Sequence, residues 1–118
     1  MPAPVVHFEF GVSNADKSKE FYTKLFDWQF QSHEGMNYHT VSAAGERSIG
    51  GGLGLTQPGQ SPYVTVYIQV DDLQKYLTKA EKLGGQTLMP PTPIPGVGSC
   101  AWFADPDGIA VGLFKPGA

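Results

Sequence analysis

The chain has 118 residues, of which 41% are hydrophobic and 16% charged. This composition is typical of one folded domain and excludes a disordered tail or a collagen-like repeat. The 8 basic and 11 acidic residues give a formal net charge of -3, and the basic residues are scattered, which argues against nucleic acid as a partner. No segment approaches the ~20 apolar residues of a membrane span. We therefore predict a cytoplasmic protein with no membrane partner, and its single cysteine, Cys100, excludes an internal disulfide.

The first predicted strand begins at Val5, where apolar and polar side chains alternate. One face is apolar, with Val6, Phe8, Phe10 and Val12. His7 and Glu9 lie two positions apart on the other face. A helix follows, capped by Ser13 or Asn14, and its apolar stripe is Phe21, Tyr22, Leu25 and Phe26.

Three short strands are predicted after this helix, at Trp28–His33, Tyr38–Ala43 and Ile49–Leu55, and Thr56–Pro62 reads as a linker. The second half of the chain repeats the order. A strand from Tyr63 is followed by a helix capped by Asp71 or Asp72 and ended by the Gly84-Gly85 pair. Its three further strands are Gln86–Met89, Ser99–Phe103 and Ile109–Phe114.

The two halves share one register. Val6 and Val64 are 58 positions apart (64 − 6), and the same offset relates Leu25 to Leu83 and Gly54 to Gly112. The sequence therefore predicts an α+β fold made of two βαβββ modules, at about 4–56 and 63–115, within a single domain that spans residues 1–118.

The segments VVHFEFGVSNADKSKEFYTKLFDW, YIQVDDLQKYLTKAEKLGG and IPGVGSCAWFADPDGIAVGLF carry a resemblance that spans nearly the whole chain. They resemble the vicinal oxygen chelate superfamily, the group of glyoxalases, bleomycin-resistance proteins and extradiol dioxygenases, in a glyoxalase-like branch of unassigned function. The resemblance implies a pseudo-twofold arrangement of the two modules around a concave cleft, and a homodimer.

Metal-dependent members of that superfamily hold a divalent ion with one side chain from the first and one from the last strand of each module. The 58-residue offset puts these positions at His7, Gly54, Thr65 and Gly112. Only His7 is an ordinary ligand, because glycine has no side chain and a threonine hydroxyl is a poor ligand for zinc, nickel or iron. We therefore predict no metal and no other cofactor, with a divalent metal as the alternative.

The candidate site residues lie on the faces that the predicted helices leave uncovered. His7 and Glu9 are the candidate catalytic pair, since a carboxylate near an imidazole raises its pKa and creates a proton donor. The candidate ligand-binding residues are His7, Glu9, Tyr67, Gln69, Ile94 and Phe114. Of these, Tyr67 and Phe114 are expected to stack on a planar ligand. Ile94 lies at the centre of the proline-rich segment Pro90–Gly98, which is predicted as an irregular, stiff rim.

Three other features received structural or ligand-related interpretations. His33 and His39 are predicted to face each other across a hairpin centred on Met36, which could form half of a metal site but more commonly serves turn geometry and solvation. The glycines at 54 and 112 are interpreted as room for a bulky ligand. Cys100 is predicted to be a buried structural residue.

The sequence thus predicts a small-organic-molecule-binding protein of the glyoxalase-like kind that lacks the usual four-ligand metal site. Its ligand would be an aromatic or cationic compound, attracted by Glu9 and the net negative charge. The alternative is an enzyme, either a metal-dependent lyase, isomerase or dioxygenase or one that uses His7 and Glu9 as acid and base.

Overall fold

A computed structural model describes residues 2–33 and 37–117 of the chain. The first run of elements is β1 (Val5–Val12), α1 (Ala15–Phe26), β2 (Phe30–His33), β3 (Tyr38–Val41) and β4 (Gly50–Leu55). The second is β5 (Tyr63–Gln69), α2 (Leu73–Lys82), β6 (Gln86–Ile94), β7 (Gly98–Ala104) and β8 (Ala110–Pro116). The predicted α+β class and the two βαβββ runs are confirmed. Over the described residues, neither helix has the length and apolarity that crossing a membrane requires.

Contacts divide the chain into two compact units. The first unit is His7–Val64, and the second combines the N-terminus up to Val6 with the chain from Thr65 onward. The N-terminal segment is tied to the second unit through the backbone of Gln69, whose N–H donates to the Pro4 carbonyl.

In the first unit the strands follow the order β2-β3-β4-β1, with β1 parallel to β4 and the other neighbours antiparallel. Helix α1 begins where the Asn14 side chain accepts a hydrogen bond from the Lys17 N–H, and it ends at Asp27 in the left-handed conformation. The helix lies against the sheet through Tyr22, whose ring stacks on Phe10 with centroids 5.1 Å apart. Phe8, Trp28 and Phe30 extend this aromatic cluster.

The apolar stripe predicted for α1 is buried only in part. Tyr22 is half-buried, but Phe21, Leu25 and Phe26 remain 59%, 56% and 54% exposed. The sequence pattern identified the amphipathic helix correctly, whereas the depth to which each residue is covered depends on how the helix lies on the sheet.

In the second unit the strand order is β5-β8-β7-β6. Helix α2 begins at Asp72, whose side chain accepts from the Lys75 N–H, and its chain reversal uses Gly84 at φ 101°. The core of this unit lies between α2 and one face of the sheet. It contains Val70, Leu73, Leu77, Ala101 and Leu113. Cys100 is buried, as predicted.

The proline-rich segment is a strand rather than an irregular rim. Strand β6 continues through Pro90 to Ile94 and pairs with β7, so that only three residues, 95–97, form the connecting turn. The prolines are accommodated because β6 is the last strand of its sheet and its register shifts between Met89 and Thr92. An edge strand does not need every backbone N–H for pairing. Several prolines in a segment therefore do not indicate a loop when that segment lies at the edge of a sheet.

The 58-residue repeat holds for the elements but not for the pairing register. His7 lies opposite Gly50 in the first unit, a separation of 43 positions (50 − 7), whereas Tyr67 lies opposite Gly112 in the second, a separation of 45 (112 − 67). A slip of two residues preserves which side chains share a face. It does change which residues are neighbours, because a separation of 45 would put Gly54 opposite Glu9 (54 − 45), whereas it lies opposite Gly11.

Candidate functional site

Each sheet has one face that its helix covers and one that the helix leaves open, here called the helix-free face. In the first unit Phe8 and Phe10 lie on the covered face, so His7, Glu9 and Gly11 lie on the helix-free face. Strand β4 adds a glycine row to that face, consisting of Gly50, Gly52 and Gly54. Strand β3 adds Tyr38 and Thr40, and β2 adds Gln31 and His33.

His7 is hydrogen-bonded to a tyrosine that the sequence did not single out. The distance between His7 Nε2 and the Tyr38 hydroxyl oxygen is 2.7 Å, and either group donates, depending on the imidazole tautomer. The Tyr38 ring crosses β4 to reach His7, because Gly52 and Gly54 leave the surface of that strand bare. Partial burial lowers the pKa of His7 below 6.5, which favours the neutral imidazole near pH 7.

Glu9 also shares a hydrogen bond with a tyrosine. It is 5% exposed, and the Tyr63 hydroxyl donates to its Oε2 at 2.7 Å. The Tyr63 ring lies directly against Gly11, where a side chain would overlap it. Burial first, and then the hydrogen bond to Glu9, raise the pKa of Tyr63, so this phenol keeps its proton across the neutral range.

The predicted pairing of His33 with His39 is wrong. The hairpin register places Ser32 opposite His39 and His33 opposite Tyr38, one position away from the predicted register. The two imidazoles therefore lie on opposite faces, since a one-residue shift exchanges the faces of a strand. His33 Nε2 lies 2.8 Å from the Thr40 hydroxyl on the helix-free face, and His39 Nδ1 lies 2.8 Å from the Ser32 hydroxyl on the other. Met36, the predicted centre of that hairpin, lies outside the described residues.

The helix-free face of the second unit is aromatic. The Tyr67 ring lies against Gly112, and it meets Trp102 edge to face with centroids 5.5 Å apart. Gln69 pairs with Phe114 on the same face, and the register of β6 with β7 places Ile94 there as well. All four ligand-binding candidates of this unit thus share one surface, and Trp102 lies on it as well.

The donors at the four positions that the resemblance implies do not fit a divalent ion. Those positions are His7, Gly54, Thr65 and Gly112. The two glycines offer no ligand atom, and a tyrosine ring lies against each of them. The Thr65 hydroxyl is buried and donates to the Ala110 carbonyl at 2.7 Å, which is the arrangement of a structural threonine. Within residues 2–33 and 37–117, no group of three His, Cys, Asp or Glu side chains is placed to hold a metal ion.

Two functional candidates, Tyr38 and Tyr63, emerge only from the tertiary structure. Both lie flat over a glycine of a neighbouring strand and direct a hydroxyl to an ionisable residue of β1. The glycine row was the one available signal, because a bare strand surface is commonly covered by an aromatic ring from a neighbouring strand. The sequence analysis interpreted Gly54 and Gly112 as room for a ligand. In the structure the protein's own tyrosines lie against Gly52, Gly54 and Gly112.

The lowered pKa of His7 makes stability depend on pH in a defined direction. Because the folded-state pKa lies below the unfolded value of 6.5, the unfolded chain binds the proton more readily. The free energy of unfolding should be unaffected by His7 above pH 6.5 and should fall as the pH drops from 6.5 through the lowered pKa. Urea denaturation at several pH values measures this. His7→Gln should flatten the profile, and an unchanged profile would contradict the prediction. His39→Gln is the comparison variant because burial also lowers the pKa of His39, which is more exposed.

Sequence and structure comparisons place the chain among known proteins. The sequence profile of the Glyoxalase/Bleomycin resistance protein/Dioxygenase superfamily matches residues 5–113. The chain is 34% identical to CFP32 of Mycobacterium tuberculosis over 104 residues, which cover 86% of this chain and 40% of that protein. It is 28% identical to the anthracycline biosynthesis protein DnrV of Streptomyces peucetius, over 98% of this chain and 48% of that one. The chain therefore spans less than half the length of these relatives.

A solved structure shows the same fold. The Mn(II)-bound glyoxalase from Novosphingobium aromaticivorans superimposes with a TM-score of 0.67 and 18% identity, covering 97% of this chain and 40% of that one. The family match spans most of the sequence, and the βαβββ order agrees with it. The chain belongs to the Glyoxalase/Bleomycin resistance protein/Dioxygenase superfamily.

Proposed function

We propose that the helix-free face of each unit binds a planar aromatic organic molecule without a protein-held metal ion. The observation that carries the proposal is the placement of tyrosine rings over glycines. Tyr67 lies against Gly112 and Tyr38 against Gly52, at or beside the strand positions that would otherwise supply metal ligands. Aromatic surface with a few convergent polar groups is the usual lining of a small-molecule site.

Each candidate residue has a distinct role in this proposal. On the second unit's face, Tyr67 and Phe114 stack on the ligand, Ile94 provides apolar contact, and Gln69 hydrogen-bonds polar substituents. On the first unit's face, His7 hydrogen-bonds the ligand. Glu9 contributes negative charge and acts through Tyr63, because its carboxylate is buried and accepts from that hydroxyl.

The named relatives support the aromatic character of the ligand. DnrV is an anthracycline biosynthesis protein, and anthracyclines carry a planar, fused-ring chromophore. Because this chain spans 48% of DnrV, we take from it the chemical class of the ligand and no reaction. The homodimer and the cytoplasmic location stay predictions from the sequence.

A second candidate function is acid–base catalysis by His7 and Glu9. The observation in its favour is that these two residues lie two positions apart on one strand face, and each is hydrogen-bonded to a phenol. Because burial lowers the pKa of His7, its neutral imidazole can accept a proton, so His7 would serve as the base of an isomerase or lyase and not as the proton donor predicted from the sequence. A metal-dependent lyase or dioxygenase is less well supported than acid–base catalysis, because the residues at the four positions implied by the family resemblance do not fit a metal ion.

A binding titration tests the proposal. A fluorescent anthracycline is titrated with the purified protein, and its emission and anisotropy are followed. We expect saturable binding by the wild type and roughly tenfold weaker binding by Tyr67→Ala, since loss of an aromatic contact costs about 1 kcal/mol or more. Tyr67→Phe keeps the ring and should retain most of the affinity.

Phe21→Ala is the matched control. It removes an aromatic ring too, in this case an exposed one on α1, which lies against the covered face. Its affinity should equal that of the wild type. Absence of saturable binding by the wild type, or equal affinities of the wild type and Tyr67→Ala, would overturn the proposal. Turnover of a carbonyl substrate that is lost in both His7→Gln and Glu9→Gln would favour the acid–base enzyme instead.

A further inference from the structure

The Tyr38 ring lies over Gly52 of β4, where any side chain larger than hydrogen would overlap it. A methyl group added at Gly52 would overlap the Tyr38 hydroxyl and lie 2.5 Å from its Cε2 and Cζ. A methyl group added at Gly54 would lie 3.3 Å and 3.4 Å from Cδ1 and Cε1, which a small shift of the ring relieves. The ring therefore crosses β4 from Gly54 towards Gly52, and its hydroxyl meets His7 Nε2 at 2.7 Å.

We infer that Gly52 is a positioning residue, which lets Tyr38 lie across β4 and thereby holds the Tyr38–His7 hydrogen bond on the helix-free face. Its effect on ligand binding rests on the proposed function, whereas its effect on His7 does not. Gly52 contacts neither the imidazole nor a ligand in this inference. It acts only through Tyr38, and that makes the inference testable.

The position of the added atom decides what a substitution does. The three atoms nearest to an added Cβ at Gly52 all belong to the outer end of the Tyr38 side chain, which can rotate away. Gly52→Ala should therefore keep the fold and displace the tyrosine. At Gly50, in contrast, an added Cβ would meet the Val41 carbonyl oxygen at 2.9 Å, so that substitution would strain the backbone instead.

The environment of His7 provides a readout that is independent of any ligand. Tyr38 from β3, Glu9 from β1 and His33 from β2 are titratable groups on this face, and β4 presents glycines opposite β1. Burial of His7 is the cause of its lowered pKa. Removing the Tyr38 ring from this place exposes the imidazole to water, so the pKa of His7 should rise towards 6.5.

The test is an NMR pH titration of the imidazole C–H resonances. The chain has three histidines, so His7→Gln assigns the signal of interest. We expect Gly52→Ala and Tyr38→Ala to raise the pKa of His7. Gly54→Ala, the same substitution two residues along the same strand face, should raise it less, because a small shift of the Tyr38 ring relieves the close contact there. Tyr38→Phe keeps the ring over Gly52 but removes the hydroxyl. It therefore separates the effect of the hydrogen bond on the pKa of His7 from the effect of burial.

The double variant Gly52→Ala/Tyr38→Ala decides whether Gly52 acts through the tyrosine. Its His7 titration should coincide with that of Tyr38→Ala alone. If Gly52→Ala folds only in the Tyr38→Ala background, that rescue also supports the inference. A Gly52→Ala protein that is folded and has a wild-type His7 titration would overturn it, as would failure of Gly52→Ala to fold in both backgrounds.

Binding of the anthracycline probe separates the inference from the proposed function. Affinity should fall about fivefold in Gly52→Ala, the equivalent of one neutral hydrogen bond, and should fall less in Gly54→Ala. If the wild type fails to bind the probe, the proposed function fails while the His7 titration still decides the role of Gly52. If the wild type binds and Gly52→Ala binds equally well, the role of Gly52 in recognition is contradicted.

Discussion

Leu53→Ala is expected to lower the free energy of unfolding by about 3 kcal/mol. Leu53 is 0% exposed and lies on the covered face of β4, opposite Phe10 of β1 and His39 of β3. Truncation removes a fully buried isobutyl group and leaves a cavity that the paired strands on both sides of β4 cannot close. Denaturant unfolding monitored by circular dichroism measures the change.

Leu55→Ala is the matched control for this substitution. It makes the same chemical change two residues along the same strand and on the same face, but Leu55 is 41% exposed. We expect a loss below about 1 kcal/mol, since the side chain already contacts water. Equal losses in the two variants would show that the covered face of β4 is not the core of the first unit.

Tyr63→Phe should cost about 2 kcal/mol of stability, because it removes the hydroxyl that donates to the buried Glu9 carboxylate while keeping the ring over Gly11. Glu9→Gln retains an acceptor oxygen for that hydroxyl and should cost less. A double-mutant cycle of the two substitutions, measured by urea denaturation, isolates the energy of the pair. We expect a coupling energy of about 1 kcal/mol or more.

Tyr22→Phe is the control for the removal of a tyrosine hydroxyl that does not contact Glu9. Its ring stacks on Phe10 within the same unit, and we expect a change of less than about 0.5 kcal/mol. A coupling energy near zero between Tyr63 and Glu9 would mean that their hydrogen bond contributes nothing to folding. The ligand-binding role of Glu9 would then have to be argued from its charge alone.

The local sequence predicted most of the fold. Alternation of apolar and polar residues located β1 and β5, and the helix caps fell at Asn14 and Asp72, each one of two predicted candidates. Both features depend on residues within a few positions of one another, where the periods of 2 and 3.6 residues apply directly. The faces of His7, Glu9 and Tyr67 followed from the same alternation.

The errors have one physical origin, which is the pairing of each strand with its neighbour in the sheet. The hairpin of β2 and β3 is shifted by one residue from the predicted register, and this separates His33 from His39. The proline-rich segment pairs as the edge strand β6, where the sheet tolerates proline. Neither outcome is encoded in the few residues that a local pattern reads.

The sequence by itself determined the order of the elements, the region where each helix begins and the side chains available on each face of a strand, because these depend on local periodicity and capping. Only the tertiary structure decided which side chains meet. Tyr38 reaches His7 across 31 positions and Tyr63 reaches Glu9 across 54, each over a glycine of another strand. Such contacts require the strand register and the bare surface of a neighbouring strand together, and strand register is fixed by packing between distant segments rather than by any one of them.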